Sequence, residues 1–446
     1  MKKRIIKNGT LLCMSEDAPV FIDDGAVYIE DGVIKRVGKR EELERNFEGD
    51  VIDAHGGIIM PGLVNCHMHL YSSLARGIQL KGKPAENFVE ILQSLWWKLD
   101  RKLDDESIYY SALVGITDSI KFGTTTIFDH HASNGYVKGS LKIVAKAVRE
   151  VGIRASLCYE VSDRDGEKIS NDGIEENLEF IEYLQNDQTD KIKAHFGLHA
   201  SFTIEDRTFD KIASLTKGLD CGFHIHCAED EADQDVSMSK FGSRVVERLE
   251  RYGILKPQTI IAHCIHINEK EMDIIAGSRA FVAHNPESNM NNGVGYAPVL
   301  ELIKKGATCG LGTDGYTANM FNELRVANIL PKLMKRDPRV GFNEAFRMLF
   351  TENPRFASKF FKHPVGILKE NAYADIIVLP YNPPTPMNGT NAQGHCIFGF
   401  SYLQPELVMI NGEIVYEKGS ITKINENKMN EESRKVAEKL WGRFNG

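Results

Sequence analysis

The 446-residue chain is 42% hydrophobic and 26% charged, enough to bury a full core and too long for one ordinary domain, although a barrel with an appended lobe accommodates it. With 54 Lys and Arg against 62 Asp and Glu the net charge is −8, and the basic residues are spread out. That argues against nucleic acid or an anionic membrane as a partner and leaves a small molecule as the expected one. No apolar run approaches the roughly eighteen residues of a spanning helix. The opening MKKRIIKNGTLLCM lacks the long apolar stretch and small-residue cleavage site of a signal peptide, and eight scattered cysteines with no C-x-x-C pair read as buried free thiols. The cytoplasm is the expected compartment.

In chain order, the first signal is a hairpin, with Asp31-Gly32 between AVYIE and VIKRV; glycine tolerates the positive φ of a tight turn. Near the other end ADIIVLPY at 374–381 and the pair ELVMI, EIVYE around Asn411-Gly412 repeat this chemistry. The two ends therefore predict one small discontinuous β-sandwich domain made of 1–57 and 366–425. Between 58 and 365, β-rich runs alternate with helix-compatible stretches, the pattern of parallel strands joined by crossover helices. Strands are expected near 59–66, 124–130, 153–160, 193–200, 222–228, 258–263, 279–284 and 307–312, the count of a (β/α)8 TIM-type barrel. The Trp96-Trp97 cluster in LQSLWWKLD is most simply core packing or a lid on a helix near a loop. Over 426–446, Val436, Ala437, Leu440, Trp441 and Phe444 recur at helical spacing and predict a terminal amphipathic helix.

Polar residues at the predicted strand ends carry the chemistry. His67 and His69 stand two apart in PGLVNCHMH, so both side chains leave one face of the strand. Later strands end in His226 (FHIHCAED), His263 (TIIAHC) and Asp314 (LGTDG), and a barrel delivers all its strand C-termini to one rim. A lone pair of alternate histidines is ordinarily a satisfied or surface pair; five candidates in barrel order point instead to a metal centre. Imidazoles with a carboxylate suit zinc or a similar ion, with iron or manganese as alternatives. His130, His131, His195 and His224 have no such support; His224 shares a face with His226 but lies deeper, where core packing or a place behind the ligands is expected. GLGTDG also matches G-x-G-x-x-G through Gly310, Gly312 and Gly315. A dinucleotide fold would carry that segment in its first β/α unit, not its last, so these glycines are expected to clear space at the rim.

PGLVNCHMH, HIHCAED, AHC, HNPESNMNN and GLGTDG, in this order, resemble the amidohydrolase superfamily, in particular its branch of cyclic deaminases and triazine chlorohydrolases. LWWKLDRKLDDESIYYS and FDHHAS bring the likeness closest to a set of aminohydrolases within that branch. The resemblance covers nearly the whole chain and implies that His67, His69, His226 and Asp314 bind one divalent metal, with Glu229 and His263 beside it as catalytic partners. It also makes His199, in LHASFT, a substrate or oxyanion contact. No lysine stands at the end of the fourth strand, where two-metal relatives carry a bridging one, so a single ion is expected.

The expected reaction is hydrolytic deamination of a purine-like, pyrimidine-like or related N-heterocycle. Asp314 and His263 would take the proton of the attacking water, and Glu229 would protonate the ring nitrogen and then departing ammonia. Guanine-like or oxidised purines are plausible substrates. Hydrolysis of a ring amide or chloro-heterocycle is the alternative within enzymes, and a non-catalytic metal-loaded binding protein or a nicotinamide oxidoreductase the more distant ones. Asn285, Ser288 and Asn289 follow the seventh strand with roles left open, and a homodimer is expected on base rate alone.

Overall fold

The structure is a computed structural model that describes residues 2–14 and 21–446. The chain begins with five strands of one sheet: β1 (Lys3–Leu12), β2 (Phe21–Glu30), β3 (Val33–Lys39), β4 (Asp50–Asp53) and β5 (Ile58–Pro61). The β2–β3 turn has φ of 49° at Asp31 and 82° at Gly32, both positive, as a two-residue hairpin with right-twisted strands requires.

Nine parallel strands follow: β6 (Leu63–Met68), β7 (Thr124–His131), β8 (Arg154–Tyr159), β9 (Ile192–Ala194), β10 (Phe196–Ala200), β11 (Phe223–Cys227), β12 (Ile260–His263), β13 (Phe281–His284) and β14 (Thr308–Leu311). They pair in chain order as β6-β7-β8-β9 and β10-β11-β12-β13-β14, with helices between most neighbours. The expected fourth strand is thus split at His195, whose N–H bonds Leu157 O at 3.2 Å on one side while Phe196 N–H bonds Gly222 O at 2.9 Å on the other. A parallel bridge between Val161 and Leu198 spans the split, and a second between Met68 and Asp314 closes the ring. At that closure Thr313 and Asp314 donate their N–H groups to His67 O at 2.9 and 3.0 Å. Buried Asn353 stitches the seam from below, donating to Val64 O (2.7 Å) and Leu311 O (2.8 Å) and accepting from Leu311 N (2.8 Å). Phe281 and Phe356 stack at 4.2 Å among the buried residues of the barrel floor.

The expectation of one strand over 59–66 needs correction. Gly62 divides it: a Cβ there would come within 2.2 Å of Thr125, so the chain turns from β5, which pairs antiparallel with β15 (Ile376–Leu379), into β6 of the barrel. With β16 (Leu407–Ile410), β17 (Glu413–Glu417) and β18 (Ser420–Ile421) the sheet runs β18-β17-β16-β15-β5-β1-β2-β3, β4 lying beside β1. The sheet thus draws strands from both chain ends. Buried Arg154 at the start of β8 joins it to the barrel through Asp375, 3.1 Å away, with Tyr373 stacked on the guanidinium.

The last helix, Glu426–Asn445, buries Met429, Val436, Leu440 and Phe444, packs on the helix Asp105–Lys121 and donates from Trp441 Nε1 to Leu74 O at 2.8 Å. All eight cysteines are free. Among the described residues no helix is long and apolar enough to cross a membrane.

Candidate active site

The strand C-termini converge on one rim. His67 lies in β6 and His69 just beyond it, both buried. His69 Nε2 is 3.1 Å from His226 Nε2 and 2.9 Å from Asp314 Oδ1, and His67 Nε2 is 3.4 Å from that same oxygen. Ligand atoms about 2.05 Å from a tetrahedral ion sit roughly 3.3 Å from one another, and these separations suit donors to a metal ion. Nε2 of His67 and of His263 are buried without a hydrogen-bond partner, a costly state that a cation relieves. These residues fit a divalent metal.

His67, His69 and Asp314 are each held from behind. His69 Nδ1 bonds His130 O at 2.6 Å, and His67 Nδ1 meets His224 Nε2 at 2.8 Å; such contacts fix which ring nitrogen faces the ion. His224 stacks on His130 at 4.5 Å. Asn65 accepts from the backbone N–H groups of His67 and Thr313 (3.3 and 3.2 Å) and donates to Thr313 Oγ1, so one buried amide sets the register of the segments that carry His67 and Asp314. Ser288 donates to Asp314 Oδ2 at 2.5 Å.

The rim is shaped by non-glycine residues in the left-handed region: Ala228 (φ 47°), His263 (74°), Cys264 (53°) and Asp314 (57°). Such residues cost free energy and tend to gather where a side chain must be re-aimed. Ala228 is pinned by its N–H to Asp233 Oδ2 at 2.9 Å and accepts from Ile265 and His266, which brings Glu229 to the edge. Glu229 Oε2 is 3.5 Å from His263 Nε2, and Asp314 Oδ2 is 3.9 Å from the same nitrogen. Asn289 faces His263 Nδ1 at 2.8 Å.

Burial drives most of the electrostatics. It lowers His67 to about 4 and takes His226 and His263 below the ordinary imidazole value. It also lifts Glu229 well above the usual carboxylate range, helped by the charge of Asp314. Burial opposes a proton on His69 too, but the hydrogen bond and charge of Asp314 outweigh it and raise His69 to about 9. Asp314 is correspondingly held well below its normal range by His67 and His69, against its own burial. In effect a proton on His69 sits where a cation would.

These groups open into a pocket of about 830 Å³, solvent at its mouth included, lined by His69, Glu160, His199, His226, Glu229 and Asp314 on the polar side. Phe88, Leu92, Trp96, Trp97 and Phe202 form the apolar wall, so the tryptophan pair is pocket lining as well as packing. His199 engages Thr203 Oγ1 through Nδ1 at 2.7 Å, and its ring is 6.0 Å from that of Trp97. The glycines of GLGTDG clear space: a Cβ on Gly310 would meet Asn353 at 2.1 Å, and one on Gly312 Asn285 at 2.5 Å and His67 at 2.8 Å. All seven residues singled out from the sequence meet here. Glu160 was not singled out, although it is the last residue of an expected strand, and strand-end position was the signal that found the others.

A parallel barrel that gathers three histidines and an aspartate at its C-terminal rim, beside a Glu–His pair, has the donor set of a metal-assisted hydrolase. The chain belongs to the amidohydrolase family, whose model matches residues 58–415. It is 31% identical to the 5-methylthioadenosine/S-adenosylhomocysteine deaminase of Pelotomaculum thermopropionicum, over 99% of this chain and 100% of that one. It is 30% identical to the 5'-deoxyadenosine deaminase of Methanosarcina acetivorans, over 99% of each. Among solved structures, an adenosine deaminase from Xanthomonas campestris with bound zinc superposes with a TM-score of 0.86 at 22% identity, over 98% of each chain.

Proposed function

We propose that the protein is an aminohydrolase that deaminates a small N-heterocycle hydrolytically, with one zinc-type ion held by His67, His69, His226 and Asp314. The arrangement of Glu229, His263 and Asp314 carries this reading: a carboxyl and an imidazole 3.5 Å apart, with a second carboxylate 3.9 Å from the imidazole. Replacing an amine by water requires a proton to leave the water, one to reach a ring nitrogen and one to reach the leaving amine. A divalent ion bound at the four ligands supplies the charge that acidifies water near neutral pH.

His263 and Asp314 receive the water's proton. Asn289, at 2.8 Å from Nδ1, keeps Nε2 of His263 toward the reacting atoms. Glu229, whose carboxyl is pushed by burial well above the usual carboxylate range, gives its proton to the ring nitrogen beside the attacked carbon. It then takes the second water proton from the carbinol oxygen and passes it to the amine, which leaves as ammonia, and is itself reprotonated by the proton held on His263 and Asp314. His199 meets the substrate from the fourth strand, and the aromatic wall packs against the ring. The absence of a lysine at the end of β10, which runs into Ala200, supports a single ion. The relatives named above act, by their names, on adenine nucleosides, and they support deamination as the reaction.

The test is ammonia release from aminopurines, aminopyrimidines and aminotriazines by protein of measured metal content, beside Glu229→Gln. Metal-dependent release that falls about 10²- to 10⁴-fold in the variant, with metal content unchanged, is expected. Chloride release or ring opening without ammonia, from a full metal site, would replace this reading.

A further inference from the structure

Glu160 follows β8 directly and is 3% exposed. It lines the pocket, and its Oε2 is buried without a hydrogen-bond partner. The nearest imidazole nitrogens are His130 Nδ1 at 3.5 Å and His226 Nδ1 at 4.0 Å, too far for a hydrogen bond. A carboxyl oxygen left in this state costs a large desolvation penalty unless something else meets it. The side chain therefore does not serve mainly to orient His226; it waits for a donor from the pocket.

Its depth says which part of a substrate arrives there. Glu160 is one imidazole removed from the ligand cluster, because the ring of His226 has Nδ1 toward Glu160 and Nε2 toward His69. That is the level of the reacting ring, whereas a substituent such as a sugar would extend toward the mouth. Around the barrel β8, β9, β10, β11 and β12 follow in order, so Glu160 after β8 and His263 of β12, the partner of Glu229, come from opposite sides of the His226 strand. An amine-bearing ring carbon at the metal has two ring neighbours. The one facing Glu229 must be a bare nitrogen able to take a proton; the one facing Glu160 must offer a hydrogen to an acceptor.

We infer that Glu160 is a substrate-recognition residue that accepts a hydrogen bond from a ring N–H flanking the amine-bearing carbon, so that the substrate is an amino-lactam of the guanine or isocytosine type. In such rings the amine carbon lies between an N–H and a bare nitrogen. In adenine it lies between a bare nitrogen and a carbon, and Glu160 would face no donor. This deepens the deaminase reading and rests on it.

The experiment compares guanine with 2-aminopurine, and isocytosine with 2-aminopyrimidine, pairs that share the amine position while only the first member carries the N–H. Adenosine is included in the same series. Zinc-loaded wild type, Glu160→Gln and Glu160→Leu are assayed for ammonia, with metal content measured. A hydrogen bond to a buried carboxyl oxygen predicts that the wild type prefers the N–H member by about 2- to 10-fold in kcat/KM. That ratio is expected to collapse in Glu160→Leu and to survive in part in Glu160→Gln, whose carbonyl oxygen still accepts. Faster turnover of adenosine or 2-aminopurine by the wild type overturns the inference, as does a ratio unchanged in Glu160→Leu. So do two metal equivalents in the wild type falling to one in Glu160→Leu, since Glu160, His199 and His226 would then be a second cation site. If no compound releases ammonia, the deaminase reading fails; calorimetric binding of guanine against 2-aminopurine to the wild type and Glu160→Leu then decides the role of Glu160 alone.

Discussion

Zinc titrated into the metal-free protein has to displace a proton, and the structure says from where. Of the four proposed ligands, His67 (about 4) and His226 (well lowered) are already neutral at pH 7 and Asp314 is already ionised. His69, raised to about 9 by Asp314 against its own burial, is the one protonated ligand. At pH 7 it lies two units below that value, so zinc binds about a hundredfold more weakly than at the alkaline limit, a cost of about 2.7 kcal/mol at 1.36 kcal/mol per unit. Raising the pH removes the competing proton, so log K for zinc should climb by just under one per unit between pH 6.5 and 8.5 and level off above 9. Calorimetry at pH 7 in buffers of different ionisation enthalpy should show about one proton released per ion. Asp314→Asn removes the anion that holds the proton and should flatten this slope while weakening binding overall. The same proton stabilises the metal-free fold, fully below the ordinary histidine value of about 6.5 and decreasingly as the pH rises through 9. A zinc affinity independent of pH over 6.5–8.5, or no proton released at pH 7, would refute the reasoning.

Asn289→Ala removes the 2.8 Å contact that orients His263; a hydrogen bond worth about 1 kcal/mol predicts a loss of roughly fivefold in kcat, with KM and metal content near the wild type. Gly312→Ala drives a methyl group within 2.8 Å of His67 Cβ, and an overpacked site costs about 1–3 kcal/mol; equilibrium dialysis should show weakened zinc retention, and urea unfolding a matching loss. Asn353→Leu strands Val64 O, Leu311 O and Leu311 N at the barrel seam. At about 1–3 kcal/mol for each buried unpaired group, the urea midpoint should fall by several kcal/mol equivalent while the metal ligands stay intact.

The barrel was readable because its strands are short β-rich runs between amphipathic stretches, a local property. The breaks in that pattern have non-local causes. The run 59–66 looks continuous until Thr125, from the next strand, forbids a side chain at position 62. The run 193–200 looks continuous until His195 is needed to bond across to Leu157. Five of the site residues were legible because histidine or aspartate at a strand end is unusual and its position alone gives it meaning. Glu160 shows the limit of that rule. It ends an expected strand as His263 does, but it opens the charged run EVSDRD, where a carboxylate is most simply a solvated loop residue. Only the folded chain shows that its oxygen is buried and without a partner.

The residues behind the ligands were less legible still, because their meaning lies in pairs far apart in sequence. Asn65 and Thr313 are 248 positions apart and His67 and His224 are 157 apart. His224 was expected to lie behind the ligands because it shares a strand face with His226, but nothing local says that its partner is His67. The distinction bears on substrate choice. Ligands and proton carriers are dictated by a chemistry shared across the amidohydrolase family and so leave recognisable residue types at recognisable places. A group that recognises one edge of one ring needs only the complement of that edge, and a carboxyl at the end of β8 supplies it without leaving a motif. The substrate of this protein is therefore written in Glu160 and the pocket wall, and selectivity between paired rings, measured with Glu160 intact and removed, reads it directly.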